Sequence, residues 1–386
     1  MDLLIFGDTE RSPELRHELP LHVGDPFLYA EVGGRRVAVV WSIEGDRISV
    51  VEPSVEIVPS ETISVDDLIE AGVDFYEIDA THVVRSVQSL GITRASVPAA
   101  FPLQVADALR AAGIELVPDQ GLFDLRRRRK TRLELDGIRR ATRAGEAGMR
   151  AIAELLARSE AGDGGRVVDG EPLTSELLRA AAEAAFAELG CRGDDAIVAH
   201  GAQAADGHHQ GSGRLANDDV IVCDLFPREL ESTCYSDMTR TFSVGTPDPE
   251  LVTWHEHTRE ALDLVRELVR PGAHGAELWR EVCRFYEGLG YSTGLSRPKG
   301  TVLREGFNHG LGHGVGLDVH EAPGLSRKGH ELIAGDVITL EPGLYRHGFG
   351  GVRLEDLVLV TEDGYETLTD LPYDLDPARS LVETAR

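Results

Sequence analysis

The sequence predicts a mixed α/β protein made of two domains, and three observations support that fold class. The chain has 386 residues, which is enough for two or three domains. In residues 1–125, short apolar or β-branched runs alternate with helical stretches. In residues 126–386, long helical patterns and apolar strands accompany motifs of histidine, aspartate and glutamate. We therefore predict domains at 1–125 and 126–386.

The first domain is predicted to be α/β from the order of its elements. Strand patterns occur at 27–32, 36–41 and 47–51, and a helical pattern at 103–112 leads into a strand at 114–117. This domain shows no cluster of histidine, cysteine and acidic residues at ligand-like spacing. We assign it to support, dimerisation or partial cover of a site.

The second domain is predicted to open with a long helix after a basic segment. Arg126–Lys130 is a run of five basic residues, which we place at the junction between the domains, solvated or paired with carboxylates. A helix is predicted at 131–158. Further helices are predicted at 174–190, 249–269 and 277–289, and strands at 196–199, 220–225, 235–244, 337–341 and 352–360.

Composition disfavours several classes of partner. The formal net charge of −27 argues against nucleic acid and anionic membrane surfaces, because both bind basic protein surfaces. No apolar run approaches the roughly 20 residues of a membrane-spanning helix, and the N-terminal run lacks the basic region of a signal peptide. The four cysteines show no CxxC or zinc-finger spacing. We expect a cytoplasmic protein with reduced, mostly buried thiols.

The segment 308–321, Asn-His-Gly-Leu-Gly-His-Gly-Val-Gly-Leu-Asp-Val-His-Glu, combines three histidines with four glycines. The histidines are His309, His313 and His320. Imidazole is the commonest metal ligand and titrates near neutral pH. Closely spaced glycines let the backbone approach a ligand closely. The segment therefore predicts a metal-binding or acid–base site.

Four acidic residues accompany apolar strand patterns. Asp224 ends one such strand and the chain returns through Asp237, so we expect the two residues on adjacent strands. Glu341 ends a second apolar strand, and Glu355 lies within a third. Acids in such positions are rarely buried without a partner. Arg353 lies two residues from Glu355, on the same strand face, and can neutralise one carboxylate but not four.

These carboxylates and His313 predict a centre for two divalent cations. The carboxylates bring a charge of about −4, which two divalent cations balance. Mostly oxygen ligands with one imidazole favour a fairly hard metal such as Mn²⁺, with Co²⁺, Zn²⁺ or Fe²⁺ as alternatives. Carboxylates that bridge two metals hold them roughly 3.5–4 Å apart, as in two-metal hydrolases.

Residues 130–386 resemble the pita-bread metallopeptidases, which include methionine aminopeptidase, aminopeptidase P and prolidase. The resemblance rests on the order Asp, Asp, His, Glu, Glu within the motifs Ser-Asp-Met-Thr-Arg-Thr, Gly-His-Gly-Val-Gly-Leu and Leu-Glu-Pro-Gly. It implies an α/β (α+β) protein with a C-terminal pita-bread domain and a smaller N-terminal creatinase-like domain. The metal ligands that it implies are Asp224, Asp237, His313, Glu341 and Glu355.

The resemblance also implies catalytic histidines. The family has a histidine before the first aspartate that helps to hold the substrate. His208 fits its spacing better than His209, which stays the alternative, and Gly207 stands where the family usually has proline. His320 corresponds to a second catalytic histidine, and His309 to a further active-site histidine of the aminopeptidase P and prolidase branch.

By the same resemblance, the chain is expected to hydrolyse Xaa-Pro bonds at peptide N-termini through a hydroxide that bridges two metals. Glu341 accepts the water proton in this mechanism and passes it to the leaving nitrogen. His208 and His320 donate hydrogen bonds to the substrate or to the developing oxyanion.

The sequence leaves the preferred substrate length open. Some prolidases carry an arginine, which can bind a substrate carboxylate, at the position of Gly324. Its absence favours an aminopeptidase P-like activity over a dipeptidase, although Arg327 and Lys328 lie near enough to substitute. The family also implies a homodimer. The alternatives are a metal-free creatinase-like amidinohydrolase and a non-catalytic binding protein, and both usually lack part of the ligand set.

Overall fold

The computed structural model describes residues 1–381 and divides into two compact units, Met1–Arg127 and the chain from Arg128 onward. Both units mix helices and strands, as the sequence predicts. The boundary falls at the end of the helix Gln120–Arg128. The side chains that the sequence assigns to a metal centre all belong to the second unit.

One six-stranded sheet forms the centre of the first unit, residues 1–127. Its strands are β1 (Asp2–Gly7), β2 (Phe27–Val32), β3 (Arg35–Val40), β4 (Val55–Pro59), β5 (Arg94–Val97) and β6 (Glu115–Pro118). Their order across the sheet is β4-β3-β2-β1-β5-β6. Strand β2 is antiparallel to both of its neighbours, β1 and β3. The other neighbouring pairs, β3–β4, β1–β5 and β5–β6, are parallel. The helices are α1 (Pro13–Glu18), α2 (Ser42–Val51), α3 (Asp66–Glu70), α4 (Phe75–Ser89), α5 (Leu103–Ala111) and α6 (Gln120–Arg128), with a 3₁₀ turn at Ser60–Thr62.

The strand predicted at residues 47–51 is wrong, because these residues belong to α2. The buried residues of α2 are Gly45 and Ile48, three positions apart, which is a helical spacing. A Cβ on Gly45 would lie 2.9 Å from Cγ2 of Ile57 on β4, so the helix packs closely against the sheet. The β-branched residues near Val51 favour a strand by composition, but the packing of this helix face overrides that preference.

The second unit opens with α7 (Arg132–Arg158), which Thr131 and Glu134 begin with a capping box. The further helices are α8 (Ser175–Glu188), α9 (Pro249–Arg266) and α10 (Gly275–Gly288), with 3₁₀ turns at Gly201–Ala205 and Arg379–Leu381. The strands are β7 (Glu160–Gly162), β8 (Gly165–Val168), β9 (Glu171–Pro172), β10 (Cys191–Arg192), β11 (Ala196–His200), β12 (Asp219–Leu225), β13 (Arg228–Glu229), β14 (Met238–Val244), β15 (Glu305–Gly306), β16 (Gly312–Gly314), β17 (Glu321–Leu325), β18 (Val337–Leu340), β19 (Gly343–Arg346), β20 (Gly350–Arg353), β21 (Asp356–Val360) and β22 (Tyr365–Thr367).

Two pairs of helices cover the sheets of the second unit. Helices α7 and α8 share an apolar core with the sheet β11-β12-β14, in which Phe186 and Phe242 are fully buried. Helices α9 and α10 share another core with β18 and β21 of the sheet β17-β16-β18-β21-β22, around Trp254 and Tyr286. Each acid-bearing strand is thus held by packing against a pair of helices.

The strand predicted at 352–360 is broken into β20 and β21. Strand β20 pairs with β19, whereas β21 pairs with β18. Leu354 and Glu355 stand at the break, where the backbone N–H of Glu355 donates to the carbonyl oxygen of Thr239 at 3.0 Å. The change of partner strand therefore brings Glu355 against β14.

The basic segment Arg126–Lys130 pairs with carboxylates, which is one of the two outcomes expected for it. In the first unit, Nε of Arg126 lies 2.6 Å from a carboxylate oxygen of Glu18. In the second unit, Arg128 makes a buried bidentate ion pair with Asp336, with N–O distances of 2.8 and 2.7 Å. The segment is thus neutralised within each unit.

The thiols agree with the sequence prediction. Cys191, Cys223, Cys234 and Cys283 are free and buried. Cys223 packs in the core beneath α7 and α8, and burial raises the pKa of its thiol. Among residues 1–381, no helix has both the length and the apolar character needed to cross a bilayer.

A buried histidine on α9 makes the second unit sensitive to acid. Burial lowers the pKa of His255 to about 4, and Arg259 acts in the same direction, whereas the backbone of Tyr373 and the charge of Asp374 oppose the shift. The unfolded chain protonates this histidine near its ordinary pKa of 6.5. Between these values the unfolded state binds more protons, so the free energy of unfolding falls as the pH drops from about 6.5 towards 4.

We expect His255→Gln to reduce this acid sensitivity, because glutamine cannot take up the proton. The measurement is the free energy of unfolding by urea at neutral pH and at a pH near 5. The exposed His347 supplies the control, since His347→Gln should leave the dependence on pH unchanged. An identical loss of stability on acidification in both variants would contradict the prediction.

Candidate metal centre

Two neighbouring strands carry the aspartates. Strands β12 and β14 are antiparallel, and Asp224 lies opposite Thr239. Asp237 immediately precedes β14, two residues before Thr239, so both point to the same side of the strand. Cys223 and Arg240 point to the other side. The predicted adjacency of Asp224 and Asp237 is therefore present, and both line a cavity of about 640 Å³.

The glutamates come from the segments around β18 and β21. Glu341 directly follows β18, and its backbone N–H donates to the carbonyl oxygen of Leu311 at 2.8 Å. Glu355 occupies the break before β21, where its carboxylate accepts a hydrogen bond from the hydroxyl of Thr239 at 2.7 Å. Both glutamates line the cavity that the aspartates line.

Glycines on β16 place His313 between two other backbones. A Cβ on Gly312 would lie 2.0 Å from the carbonyl oxygen of Thr339, and one on Gly314 would lie 2.3 Å from that of Ala322. Only glycine permits so close an approach. The backbone N–H of His313 then donates to the hydroxyl of Thr339 at 3.1 Å. These glycines therefore serve contacts between strands, whereas the sequence had suggested an approach to a ligand.

The five predicted ligands meet at this cavity. Ligand atoms of Asp237, His313 and Glu355 all lie within 4.8 Å of one another. Nε2 of His313 is 3.7 Å from Oδ2 of Asp237 and 3.8 Å from Oε1 of Glu341. Asp224 lines the same cavity and completes the group. Side chains that are distant in the sequence thus converge, as a metal site requires.

The carboxylates carry more negative charge than their surroundings balance. Burial raises the pKa of Asp237 and of Glu355 well above their ordinary values, and neighbouring carboxylates raise both further. Burial also raises the pKa of Glu341 to about 8. Among residues 1–381, the buried Oδ1 atoms of Asp224 and Asp237 have no hydrogen-bond donor. Clustered acceptors without donors fit a bound cation.

The guanidinium of Arg353 offsets one of these charges. Its Nη2 donates to Oδ2 of Asp224 at 2.6 Å, and its Nε donates to the hydroxyl of Thr239 at 3.1 Å. Its Nη1 donates to the hydroxyl of Tyr345 at 3.2 Å. Arg353 therefore neutralises one carboxylate, as expected, and its partner is Asp224 on the neighbouring sheet.

The imidazole of His313 is arranged as a neutral ligand. Its Nδ1 lies 3.1 Å from the carbonyl oxygen of Gly314, which can only accept a hydrogen bond, so Nδ1 carries the proton. Burial, helped by His320, lowers its pKa to about 4. The lone pair of Nε2 therefore faces carboxylate oxygens, which is favourable with a cation between them. Oxygen ligands with one imidazole fit a divalent metal.

Other histidines line the same cavity, namely His208, His309 and His320. The ring of His320 meets that of His313 edge to face, with centroids 4.2 Å apart. Nδ1 of His309 donates to the adjacent carbonyl at 2.6 Å, so its Nε2 accepts from the hydroxyl of Tyr345 at 3.0 Å. The predicted histidines thus surround the carboxylate cluster.

The two candidates for the upstream histidine occupy different places. His208 lines the cavity. Nδ1 of His209 accepts the backbone N–H of Gly211 at 2.9 Å, a local turn contact. The geometry therefore supports His208 for the role at the cavity.

Tyr345 is the residue at this site that sequence reasoning missed. Its buried hydroxyl joins His309 to Arg353. The signal that could have found it is the alternation Glu341, Gly343, Tyr345, which places all three on one face of an extended segment. A Cβ on Gly343 would lie 2.4 Å from the tyrosine oxygen, so glycine makes room for the ring.

Comparison with known families decides the assignment. The model of metallopeptidase family M24 matches residues 136–362, which is more than half of the chain. The chain belongs to metallopeptidase family M24. The resemblance to the pita-bread metallopeptidases is thus confirmed. Such enzymes use divalent metal ions, and the donor set described above fits them.

Individual relatives agree with this family. The Xaa-Pro dipeptidase of Pyrococcus horikoshii is 37% identical over 183 residues, which are 47% of this chain and 48% of that protein, so the chain spans about half the length of this relative. The probable dipeptidase PepE of Mycobacterium tuberculosis is 31% identical over 287 residues, covering 72% and 68% of the two chains.

A solved structure extends the likeness to the whole fold. The Xaa-Pro dipeptidase from Bacillus anthracis matches with a TM-score of 0.77 at 24% identity, over 97% of this chain and 94% of that chain. The predicted fold class, an α/β protein with a C-terminal pita-bread domain and an N-terminal domain, is confirmed. The roles of single residues in this M24 chain stay predictions, which substitution can test.

We expect Asp237→Asn to raise the melting temperature of the metal-free M24 chain, because it removes one charge from a buried cluster of like charges. In excess Mn²⁺, the variant should gain less melting temperature than the unchanged chain, since a bound metal stabilises the folded state by mass action. Scanning calorimetry with EDTA and with Mn²⁺ measures both effects.

The exposed Asp363 supplies the matched control, and Asp363→Asn should change neither melting temperature appreciably. If Asp237→Asn gains as much from Mn²⁺ as the unchanged chain, Asp237 is not a ligand.

Proposed function

We propose that the chain hydrolyses Xaa-Pro bonds at the N-termini of peptides, with two divalent cations as its cofactor. The convergence of four carboxylates and a neutral imidazole at one cavity of an M24 chain carries this proposal. Mn²⁺ is the favoured ion because carboxylate ligands dominate, and Co²⁺, Zn²⁺ or Fe²⁺ are alternatives. The residues that would hold the metals are Asp224, Asp237, His313, Glu341 and Glu355.

When bound at this site, divalent cations supply Lewis-acid activation of water and of the scissile carbonyl. The chain's own groups move the protons. Glu341 lies at the end of β18 on the cavity wall, and it accepts a proton from the attacking water and delivers it to the leaving nitrogen. His208 and His320 line the same cavity and donate hydrogen bonds to the substrate as negative charge develops.

His309 acts through Tyr345 in this arrangement. Both of its ring nitrogens are engaged, one with a backbone carbonyl and the other with the tyrosine hydroxyl. His309 therefore orients the hydroxyl of Tyr345, which also accepts a hydrogen bond from Arg353. We assign His309 this positioning role within the catalytic group that the resemblance implies.

Proline after the scissile bond is the proposed recognition feature. An Xaa-Pro bond has no N–H, so an enzyme that cleaves it cannot hold the substrate by a hydrogen bond from that group. The carboxylates and histidines of the cavity would act on the carbonyl side of the bond, which does not depend on the missing N–H. The names of the Pyrococcus relative and the Bacillus structure, both Xaa-Pro dipeptidases, support this substrate class.

A second, smaller cavity of about 260 Å³ bears on substrate length. It shares residues 308–310 with the larger cavity, and its lining includes Arg297 and Arg327. Guanidinium groups bind carboxylates well. This arrangement supports acceptance of a free C-terminal carboxylate, as in a dipeptide, although Gly324 lacks the arginine of some prolidases.

The substrate prediction is tested with matched peptides. In the presence of Mn²⁺, we expect cleavage of an Xaa-Pro dipeptide, of an Xaa-Pro-Xaa tripeptide, or of both. Chromatography of the products measures the cleavage. The same peptides with alanine in place of proline are the controls and should be cleaved more slowly. Arg327→Gln should raise KM for the dipeptide more than for the tripeptide. Metal-loaded protein that cleaves neither proline peptide would overturn the Xaa-Pro proposal.

We expect Asp237→Ala to lower metal-dependent turnover by more than about 100-fold, since losing an outer partner of a metal site alone costs about 10–100-fold. Circular dichroism should show a folded chain, and metal analysis should show reduced metal content. Undiminished turnover with stoichiometric metal retained would refute the assignment.

The two alternative functions make different demands on the cavity. A metal-free amidinohydrolase or a non-catalytic binding protein on this fold has no need for so many buried carboxylates around one imidazole. Metal analysis and the peptide assay separate these alternatives from the peptidase. The homodimer and the cytoplasmic location stay predictions, which light scattering and cell fractionation can check.

A further inference from the structure

Behind the carboxylate cluster, an ion pair between Arg240 and Asp356 joins the segments that carry Thr239 and Glu355. Arg240 follows Thr239 and Asp356 follows Glu355, so the alternation of side chains turns the pair away from the cavity. Arg240 is 1% exposed and Asp356 is 0% exposed. Nη2 of Arg240 lies 3.0 Å from Oδ1 of Asp356.

Arg240 directs its guanidinium donors to the main chain as well as to Asp356. Its Nη1 donates to the carbonyl oxygens of Glu355 at 2.7 Å and of Thr239 at 2.9 Å. Its Nη2 and Nε donate to carbonyl oxygens of the segment 371–372 at 2.9 and 3.1 Å. One side chain thus bonds three separate stretches of backbone, two of which carry the candidate ligands.

Both carboxylate oxygens of Asp356 accept two hydrogen bonds. Its Oδ1 accepts from Arg240 and, at 3.0 Å, from the hydroxyl of Thr369. Its Oδ2 accepts from Arg266 at 2.9 Å and from the hydroxyl of Tyr373. Because four donors fix the carboxylate, it can in turn fix the guanidinium.

The backbone of Asp356 extends this network to another ligand. On the ladder between β18 and β21, Asp356 pairs with Leu340, which directly precedes Glu341. Glu355 directly precedes Asp356 in the sequence. The ion pair therefore sits between the segments that carry both glutamates and the strand that follows Asp237.

We propose that Arg240 and Asp356 are positioning residues of the metal centre, which fix the spacing of the segments that carry Asp237, Glu341 and Glu355. The proposal rests on the proposed function, since it takes these three carboxylates as ligands. Their mutual repulsion pushes the segments apart. The guanidinium opposes this movement by holding two carbonyl oxygens and a carboxylate at fixed distances.

The charged nature of the pair supports a geometric role. Replacing a buried ion pair by apolar side chains of similar volume is often neutral or stabilising, so such a pair is a poor means of stabilising a core. Apolar side chains, however, cannot bond the carbonyl oxygens beside Thr239 and Glu355. A lysine keeps the charge, but its ammonium is a single point and cannot span the same acceptors.

Arg240→Lys is the test, and Arg128→Lys is its matched control. Arg128 also makes a buried bidentate pair, with Asp336, and donates to the carbonyl oxygen of Glu331 at 2.6 Å. None of these residues is a candidate ligand or adjoins one in the sequence, whereas Arg240 donates to the carbonyl oxygen of Glu355 itself. The readout is Co²⁺ binding to the full chain, followed by the visible absorption of the bound ion. Circular dichroism and thermal unfolding are recorded on the same samples.

Both substitutions should lower the melting temperature, but only Arg240→Lys should weaken Co²⁺ binding, by about 10–100-fold, and change the absorption bands. Co²⁺ affinity within about twofold of the unchanged chain in folded Arg240→Lys would overturn the proposal. An equal loss of affinity in Arg128→Lys would also overturn it.

A second variant decides the matter if Arg240→Lys does not fold. Asp356→Asn keeps the shape and one acceptor of the side chain while removing its charge, and it should weaken Co²⁺ binding in the same range. Folded Asp356→Asn with unchanged affinity would overturn the proposal. An unchanged chain that binds no Co²⁺ would overturn the proposed metal function itself, so the two failures are distinguishable.

Discussion

Repulsion among buried carboxylates is the constraint around which the second unit is organised. Asp224, Asp237, Glu341 and Glu355 line one cavity, and the guanidinium of Arg353 balances only the first of them. Burial strengthens the repulsion, because an interior of low polarity screens charges weakly. Burial and the neighbouring carboxylates raise the pKa of the other three, which is the direction that repulsion among like charges produces. A divalent metal, which the family implies, would supply the balancing charge without protonation.

Like charges stay together only if the backbone that carries them is fixed, and the contacts that fix it lie on both faces of the strands. On the cavity side, the hydroxyl of Thr239 bonds the carboxylate of Glu355. On the opposite side, Arg240 bonds the carbonyl oxygens of both residues. His313 is ordered differently, through a glycine-flanked backbone that lies against two neighbouring segments. These contacts fix the backbone that carries the candidate ligands.

Sequence reasoning succeeded where the signal was local. Asp224 and Glu341 end apolar strands, and the predicted helix at 131–158 begins within one residue of α7. It failed where distant packing decides. The β-branched residues at 47–51 form a helix because one face packs on the sheet, and the run at 352–360 breaks because its halves pair with different strands. Tyr345 escaped notice since its hydroxyl gains meaning only from His309 and Arg353.

A cluster of buried carboxylates lowers the stability of a metal-free chain and raises its affinity for cations. Repulsion lowers the free energy of unfolding of the metal-free chain, and a cation that removes the repulsion recovers that free energy on binding. This gain on binding requires strands that resist separation. If the carboxylates move apart, their repulsion falls, and the affinity of the site for a cation falls with it. Apolar packing beneath the strands is non-directional and sets such distances less sharply than the bonds of Arg240 and Asp356 do. Residues that face away from the cavity can therefore influence how tightly a cation is held there, which is the role proposed for Arg240 and Asp356.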